Sequence, residues 1–190
     1  MSVVWLGILV LTTASNCSKE REAVPEAILA AEWQGFALKD SPVILQLPRE
    51  PDEKSPPGSE ATQAFASVVE FVRQYELTEP SYAIAVTHLR YRADLPISLD
   101  QAVEGAIKKV EGRSDLLSFD REVSTMSWLG RDARQLLGTV QYATGEPRDL
   151  YMRALRDGND LVQVTLTTSK DDPQAPLLWQ RIVEMASAGT

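Results

Sequence analysis

A single cysteine and a single histidine are all that this 190-residue chain offers of those two residue types. One cysteine excludes an internal disulfide and any zinc site built from several thiolates. One histidine excludes HExxH and every other centre that needs two imidazoles. Positive charge is also in short supply. Nineteen Lys and Arg face 27 Asp and Glu, for a net charge of −8. A protein that coats nucleic acid must meet a phosphate backbone with clustered cations, so no nucleic-acid partner is expected. Nor does the first apolar run, Val3 to Leu11, reach the ~20 residues that a membrane-spanning helix needs. What remains is an ordinary globular balance, 44% hydrophobic and 24% charged. A chain of this length buries enough surface to hold a core without covalent staples.

The N-terminus carries the strongest local signal. Met1 to Asn16 contains no ionisable side chain, and Val3-Val4-Trp5-Leu6-Gly7-Ile8-Leu9-Val10-Leu11 is almost purely apolar. That length suits the h-region of a secretory signal peptide. The small-residue neck Ala14-Ser15-Asn16 leads to Cys17, and Ser18-Lys19-Glu20-Arg21-Glu22 is abruptly charged. An apolar run, a small-residue neck, one cysteine and a polar segment together resemble a bacterial lipoprotein signal, whose lipobox ends at the lipidated cysteine. Cleavage before Cys17 exposes an amine and a thiol on one residue, and both accept fatty acyl chains of the palmitate type. Two or more chains anchor stably where one binds only marginally. The resemblance implies Cys17 as the lipid attachment site and a place in the bacterial cell envelope, lipid-anchored on the periplasmic side. Ser18 after the cysteine would permit sorting to the outer membrane. A plain secretory signal cut after Ala14 and an uncleaved anchor are the alternatives.

These readings divide the chain into a signal peptide (1–16), a tether with a short helix (17–35) and one domain (36–190). Pro25 to Trp33 reads as the short helix, and Val43 to Leu47 as a strand stopped by Pro48. Residues 48–60 hold four prolines and four acids, so an exposed loop without regular structure is expected. Alternating apolar residues give strands over Ser67–Leu77 and Ser81–Tyr91, although 61–72 also has a helical face. Ser98-Leu99-Asp100-Gln101 is a capping box, followed by the apolar stripe Leu99, Ala102, Val103, Ala106, Ile107 and Val110, with Gly112 at the C′ position. Four strands follow: Leu117–Trp128, Arg134–Ala143, Asp149–Arg156 and Leu161–Thr168. Their turns are at Gly130-Arg131-Asp132, Thr144–Pro147 and Asp157-Gly158-Asn159-Asp160. A last helix is capped by Asp171 or Asp172, has Pro173 in its first turn and buries Leu178, Trp179, Ile182, Val183 and Met185.

Short antiparallel strands interrupted by one long helix and closed by another define an α+β domain. The expected architecture is an antiparallel sheet of six or seven strands flanked by helices, an α-β-α sandwich. Over roughly 36–188, the order resembles the fold shared by PsbP, Mog1 and the lipoprotein DcrB. The likeness rests on Val43-Ile44-Leu45-Gln46-Leu47-Pro48, Tyr82-Ala83-Ile84-Ala85-Val86, the helix started by Ser98, Gly130-Arg131-Asp132-Ala133-Arg134 and Leu161-Val162-Gln163-Val164-Thr165. Members of that group are accessory and binding proteins with no shared active site, so no ligand residue is carried over.

Candidate chemistry is sparse. His88 lies late in a strand beside Arg90 and Arg92. No GxSxG or other nucleophile signature accompanies it, so a half-buried strand histidine is the expected reading and no catalytic residue is assigned. Glu50, Asp52, Glu53 and Glu60 lack EF-hand spacing and read as a solvated acidic loop, not a metal site. Arg90, Arg92, Arg131, Arg134, Arg148, Arg153 and Arg156 make the β-rich half locally cationic. Sharing one sheet face, they would form an anion-binding surface. As ordinary strand charges, they would pair with neighbouring acids. The expected function is a non-enzymatic envelope lipoprotein that needs no cofactor. Its partners are the membrane, through the lipid, and an envelope protein or a small ligand. A secreted or periplasmic hydrolase lacking a recognisable motif is the alternative. A chaperone-like accessory with an apolar surface patch is a third possibility.

Overall fold

Alternation along four long strands gives the centre of this chain a sheet with two buried faces. A computed structural model describes residues 23–54, 67–92 and 98–189. In chain order, the elements begin with helix α1 (Glu26–Ala30) and strands β1 (Gln34–Ala37), β2 (Val43–Leu47), β3 (Asp52–Lys54), β4 (Val69–Thr78) and β5 (Tyr82–Tyr91). Helix α2 (Leu99–Glu111) leads into β6 (Leu116–Trp128), β7 (Arg131–Tyr142), β8 (Arg148–Asp157) and β9 (Asp160–Ser169). Helix α3 (Ala175–Glu184) and strand β10 (Ser187–Ala188) close the series. Seven strands form one antiparallel sheet in the order β3-β4-β5-β9-β8-β7-β6. After β5 the chain crosses one face as α2, enters at the far edge as β6, and walks back strand by strand until β9 pairs with β5.

Side-chain parity assigns the two faces. Tyr82, Ile84 and Val86 of β5 join Val162, Val164 and Leu166 of β9 beneath α3. Leu89, Leu136, Val140, Leu150 and Met152 pack under α2 on the opposite face. The α3 face carries a second layer, a three-stranded sheet in the order β1-β2-β10, whose Val43, Leu45 and Leu47 are fully buried. Burying each such side chain stabilises the fold by about 1.5–3 kcal/mol. The α+β class and the helix-flanked antiparallel sheet are as expected, and the small second sheet is additional.

Local signals explain most boundaries. Ser98 Oγ accepts from the Gln101 amide, 3.3 Å away, and starts α2. Gly112 follows α2 in an ordinary right-handed conformation (φ −76°), not the left-handed one expected of a C′ glycine. The β6–β7 hairpin turns on Leu129 and Gly130 (φ 54° and 73°), one residue earlier than the Gly130-Arg131-Asp132 reading, and Arg131 already pairs with Trp128. Gly138 in β7 is obligatory for a steric reason. A Cβ there would lie 2.6 Å from the Asp120 carbonyl oxygen and 2.9 Å from the Phe119 ring.

Other boundaries depart from the expectation. β3 falls inside the proline-rich stretch, where no regular element was expected. Its three side chains are all exposed, so backbone pairing to β4 alone holds it. The proline in the first turn of α3 is Pro176, not Pro173. The N-cap of α3 is Gln174, without a side-chain cap bond, and neither Asp171 nor Asp172; Asp172 instead shapes the turn before the helix, its Oδ1 accepting from the Gln174 amide at 2.9 Å. Met185 lies beyond the helix and is exposed instead of buried. α1 is shorter than the Pro25–Trp33 reading, and its last turn is stapled to α3. Arg181 donates to the carbonyls of Leu29 and Ala31 and lies 4.4 Å over the Trp33 ring. The signal segment, Cys17, Glu60 and residues 61–66 lie outside the described residues.

Candidate functional site

His88 is fully buried on β5, opposite Arg73 of β4 and Val162 of β9. Period-two alternation puts His88 and Arg90 on the same face, that of the small second sheet. The β8–β9 hairpin turns through Gly158, in a left-handed conformation (φ 57°), and brings Asp160 to both of them. His88 Nε2 stands 2.7 Å from Asp160 Oδ1. Arg90 grips the same carboxylate with Nε at 2.9 Å and Nη2 at 3.2 Å. The same Nη2 also donates to the carbonyl of Asp40, in the β1–β2 connection, at 2.8 Å. Asp40 returns the contact through its side chain, accepting from Arg73 Nη2 at 2.8 Å, and Arg73 also donates to the Lys39 carbonyl. Phe71 fills the middle. The guanidinium carbons of Arg73 and Arg90 lie 4.5 and 5.2 Å from its centroid, and the His88 ring meets it edge-on at 5.0 Å.

The chemistry of this network follows from the donor count. Asp160 accepts from His88 and twice from Arg90, so Nε2 carries the imidazole proton. His88 Nδ1 is left as a buried lone pair without a partner. Desolvation holds the His88 pKa below its ordinary value despite the opposing pull of Asp160. The imidazole is therefore neutral at pH 7 and shut off from solvent. The network locks the β1–β2 connection onto β4, β5 and β9.

The seven arginines do not share a face. Arg134, Arg148 and Arg156 point to the α2 side of the sheet, whereas Arg90, Arg131 and Arg153 point to the α3 side; Arg92 lies just past the end of β5. Three are neutralised locally by an acid. Arg131 pairs with Asp157 at 3.0 Å, Arg134 with Asp100 of α2 at 2.6 Å, and Arg90 with Asp160. Arg153 is different: it is buried beneath α3 among Trp128, Trp179 and Gln135. The acidic loop does not assemble either. Glu50, Asp52 and Glu53 are exposed, the last two on opposite sides of β3, and no three metal-ligating side chains gather among the described residues.

Sequence reasoning found His88 and Arg90 but missed Asp160, Asp40, Arg73 and Phe71. Asp160 belongs to the hairpin signal Asp157-Gly158-Asn159-Asp160, yet its role depends on a strand pairing across 70 residues of chain.

No family model and no curated protein matches the sequence. Solved structures do resemble it. The solution structure of cyanobacterial PsbP (CyanoP) from Synechocystis sp. PCC 6803 aligns with a TM-score of 0.60 at 13% identity, covering 84% of this chain and 94% of that one. A Pseudomonas aeruginosa protein of unknown function aligns at 0.45 with 15% identity, over 82% of this chain and 96% of that one. LpqN of Mycobacterium tuberculosis, involved in cell envelope biogenesis, aligns at 0.44 with 13% identity, over 84% and 79%. The likeness to CyanoP makes this a PsbP-like fold. At such identity it transfers no residue role.

Proposed function

We propose that this chain is a lipid-anchored accessory protein of the bacterial cell envelope, without catalytic activity, whose PsbP-like domain binds a small ligand or a protein partner. The observation that carries this reading is the order of the first 22 residues: an uncharged apolar run, a small-residue neck, the lone Cys17 and a charged tether. The start of the folded body fits a short leash. Val24 is buried, and its amide donates to the Asp172 carboxylate at 2.7 Å. The seven residue steps from Cys17 to Val24 span about 25 Å at full extension. Acylation of Cys17 would hold the domain within that distance of the bilayer and raise its effective concentration toward membrane partners.

The hydrolase alternative draws support from the His88–Asp160 pair, which has hydrogen-bond geometry suited to general-base chemistry. The burial of His88 weighs against it. The nitrogen that would take a substrate proton, Nδ1, is enclosed and unpartnered.

Mass spectrometry of the mature N-terminus tests the anchor. The expected result is a chain beginning at an acylated Cys17, with Cys17→Ser shifting the protein from the membrane to the soluble fraction. An unmodified Cys17, or a mature start elsewhere, overturns the reading.

A further inference from the structure

Arg153 is distinguished by the absence of a counter-charge. It is 92% buried on β8, and its guanidinium carbon lies 5.6 Å from the Trp128 ring centroid and 5.7 Å from that of Trp179. Nη2 donates to the Gln135 side-chain oxygen. Nε is buried and has no acceptor. No carboxylate among the described residues comes within ion-pair distance. Glu184 on α3 adds a favourable field, but its side chain is held by Gln180 at 2.8 Å.

A second orphan lies beside the first. The indole N–H of Trp179 is buried without an acceptor, whereas that of Trp128 is satisfied by the Val183 carbonyl at 2.8 Å. Buried N–H donors are ordinarily paired. Two unpaired donors, one cationic, thus lie on neighbouring side chains where Trp179 of α3 packs on Arg153 of β8. Toward the sheet edge the cover over these donors thins: Gln135 and Tyr151 are half-buried, and Ser124 of β6, across from Gln135, is exposed. Tyr151 extends the aromatic wall, its ring centroid 5.9 Å from that of Trp179.

We propose that Arg153 and Trp179 form a binding site for an organic carboxylate with a flat apolar body. Arg153 Nε and Trp179 Nε1 would donate to the carboxylate, and the Trp179 and Tyr151 rings would hold the body. A planar guanidinium suits a carboxylate better than a point charge would, and aromatic walls favour a flat substituent over a bare inorganic anion. This deepens the reading of the domain as a binding module and does not depend on the lipid. A missing Cys17 acyl group would leave it intact, and its failure would leave the anchor intact.

Sodium benzoate is the probe, with benzamide as the neutral analogue and inorganic phosphate as the bare anion, all against the full chain carrying Cys17→Ser. Benzoate is expected to quench tryptophan fluorescence saturably, with a dissociation constant of about 1 mM or tighter. Binding weakens at least about tenfold in Arg153→Gln and less in Arg153→Lys. Should Arg153→Gln fail to fold, the unsubstituted domain still decides. In a ¹H–¹⁵N spectrum benzoate shifts the indole resonance of Trp179, assigned with Trp179→Phe, and leaves that of Trp128 in place. Four results overturn the proposal: no saturation up to about 50 mM, equal binding of benzamide, tighter binding of phosphate than of benzoate, or a stationary Trp179 resonance.

Discussion

Arg90 and Arg153 occupy the same face of the same sheet, and the protein treats their charges in opposite ways. Arg90 is given a carboxylate held in a two-point grip, a backbone carbonyl and a phenyl ring. Arg153, the more deeply buried of the two, is given an amide oxygen and two indole rings. The first arrangement is electrostatically closed and ties three strands and a loop together. The second is open, with a charge held ready and nothing on the described chain to meet it. One position serves the fold, and the other spends stability on something outside it.

Substitution at the two positions should therefore change stability in opposite directions. Asp160→Asn strips Arg90 of its charge partner and weakens the grip on His88. It is expected to cost about 2 kcal/mol in urea denaturation. Arg153→Met replaces an uncompensated buried cation with an apolar side chain of similar length, and is expected to be neutral or stabilising by up to about 1 kcal/mol. Equal losses from both would erase the distinction.

A smaller effect separates the sites by pH. Because His88 is held neutral in the fold, the unfolded chain takes up a proton near pH 6.5 before the folded one does. Stability should fall as pH drops from about 6.5 through the lowered folded value, and this group adds no further loss below that value. The unfolding free energy measured from pH 8 to pH 5 should carry this component in the parent and lose it in His88→Gln. The smallest change belongs to an exposed pair. Asp100→Asn removes the partner of Arg134 at the surface of α2 and should alter stability by less than about 0.5 kcal/mol, less still in high salt.

How far the sequence anticipated these sites depended on the range of the interaction concerned. Helix α2 was readable because its cap and apolar stripe lie within 13 residues, and the hairpins because glycine at a positive φ leaves a local trace. β1 and β3 left no such trace. Their side chains are almost all exposed, so no alternation marks them, and pairing to a neighbour alone makes them strands. The arginines were visible, but their fates were not. Whether Arg131 meets Asp157, or Arg153 meets no acid, is settled by strand register and by α3, which lies 22 residues beyond Arg153 in the chain. An absent partner has no signature in one dimension.

The hydrogen bond from Val24 to Asp172 also has a mechanical consequence. The chain enters the folded body at Val24, which is held by the residue in the turn before α3, and the Asp172 carboxylate joins the Val24 and Gln174 amides. Tension drawn through the leading segment is delivered first to the base of the final helix and to the helical turn stapled along it by Arg181. The ladders of the seven-stranded sheet lie behind that point. Load would peel the α3 layer before it sheared a strand, and the aromatic wall around Arg153 would be among the first surfaces to open.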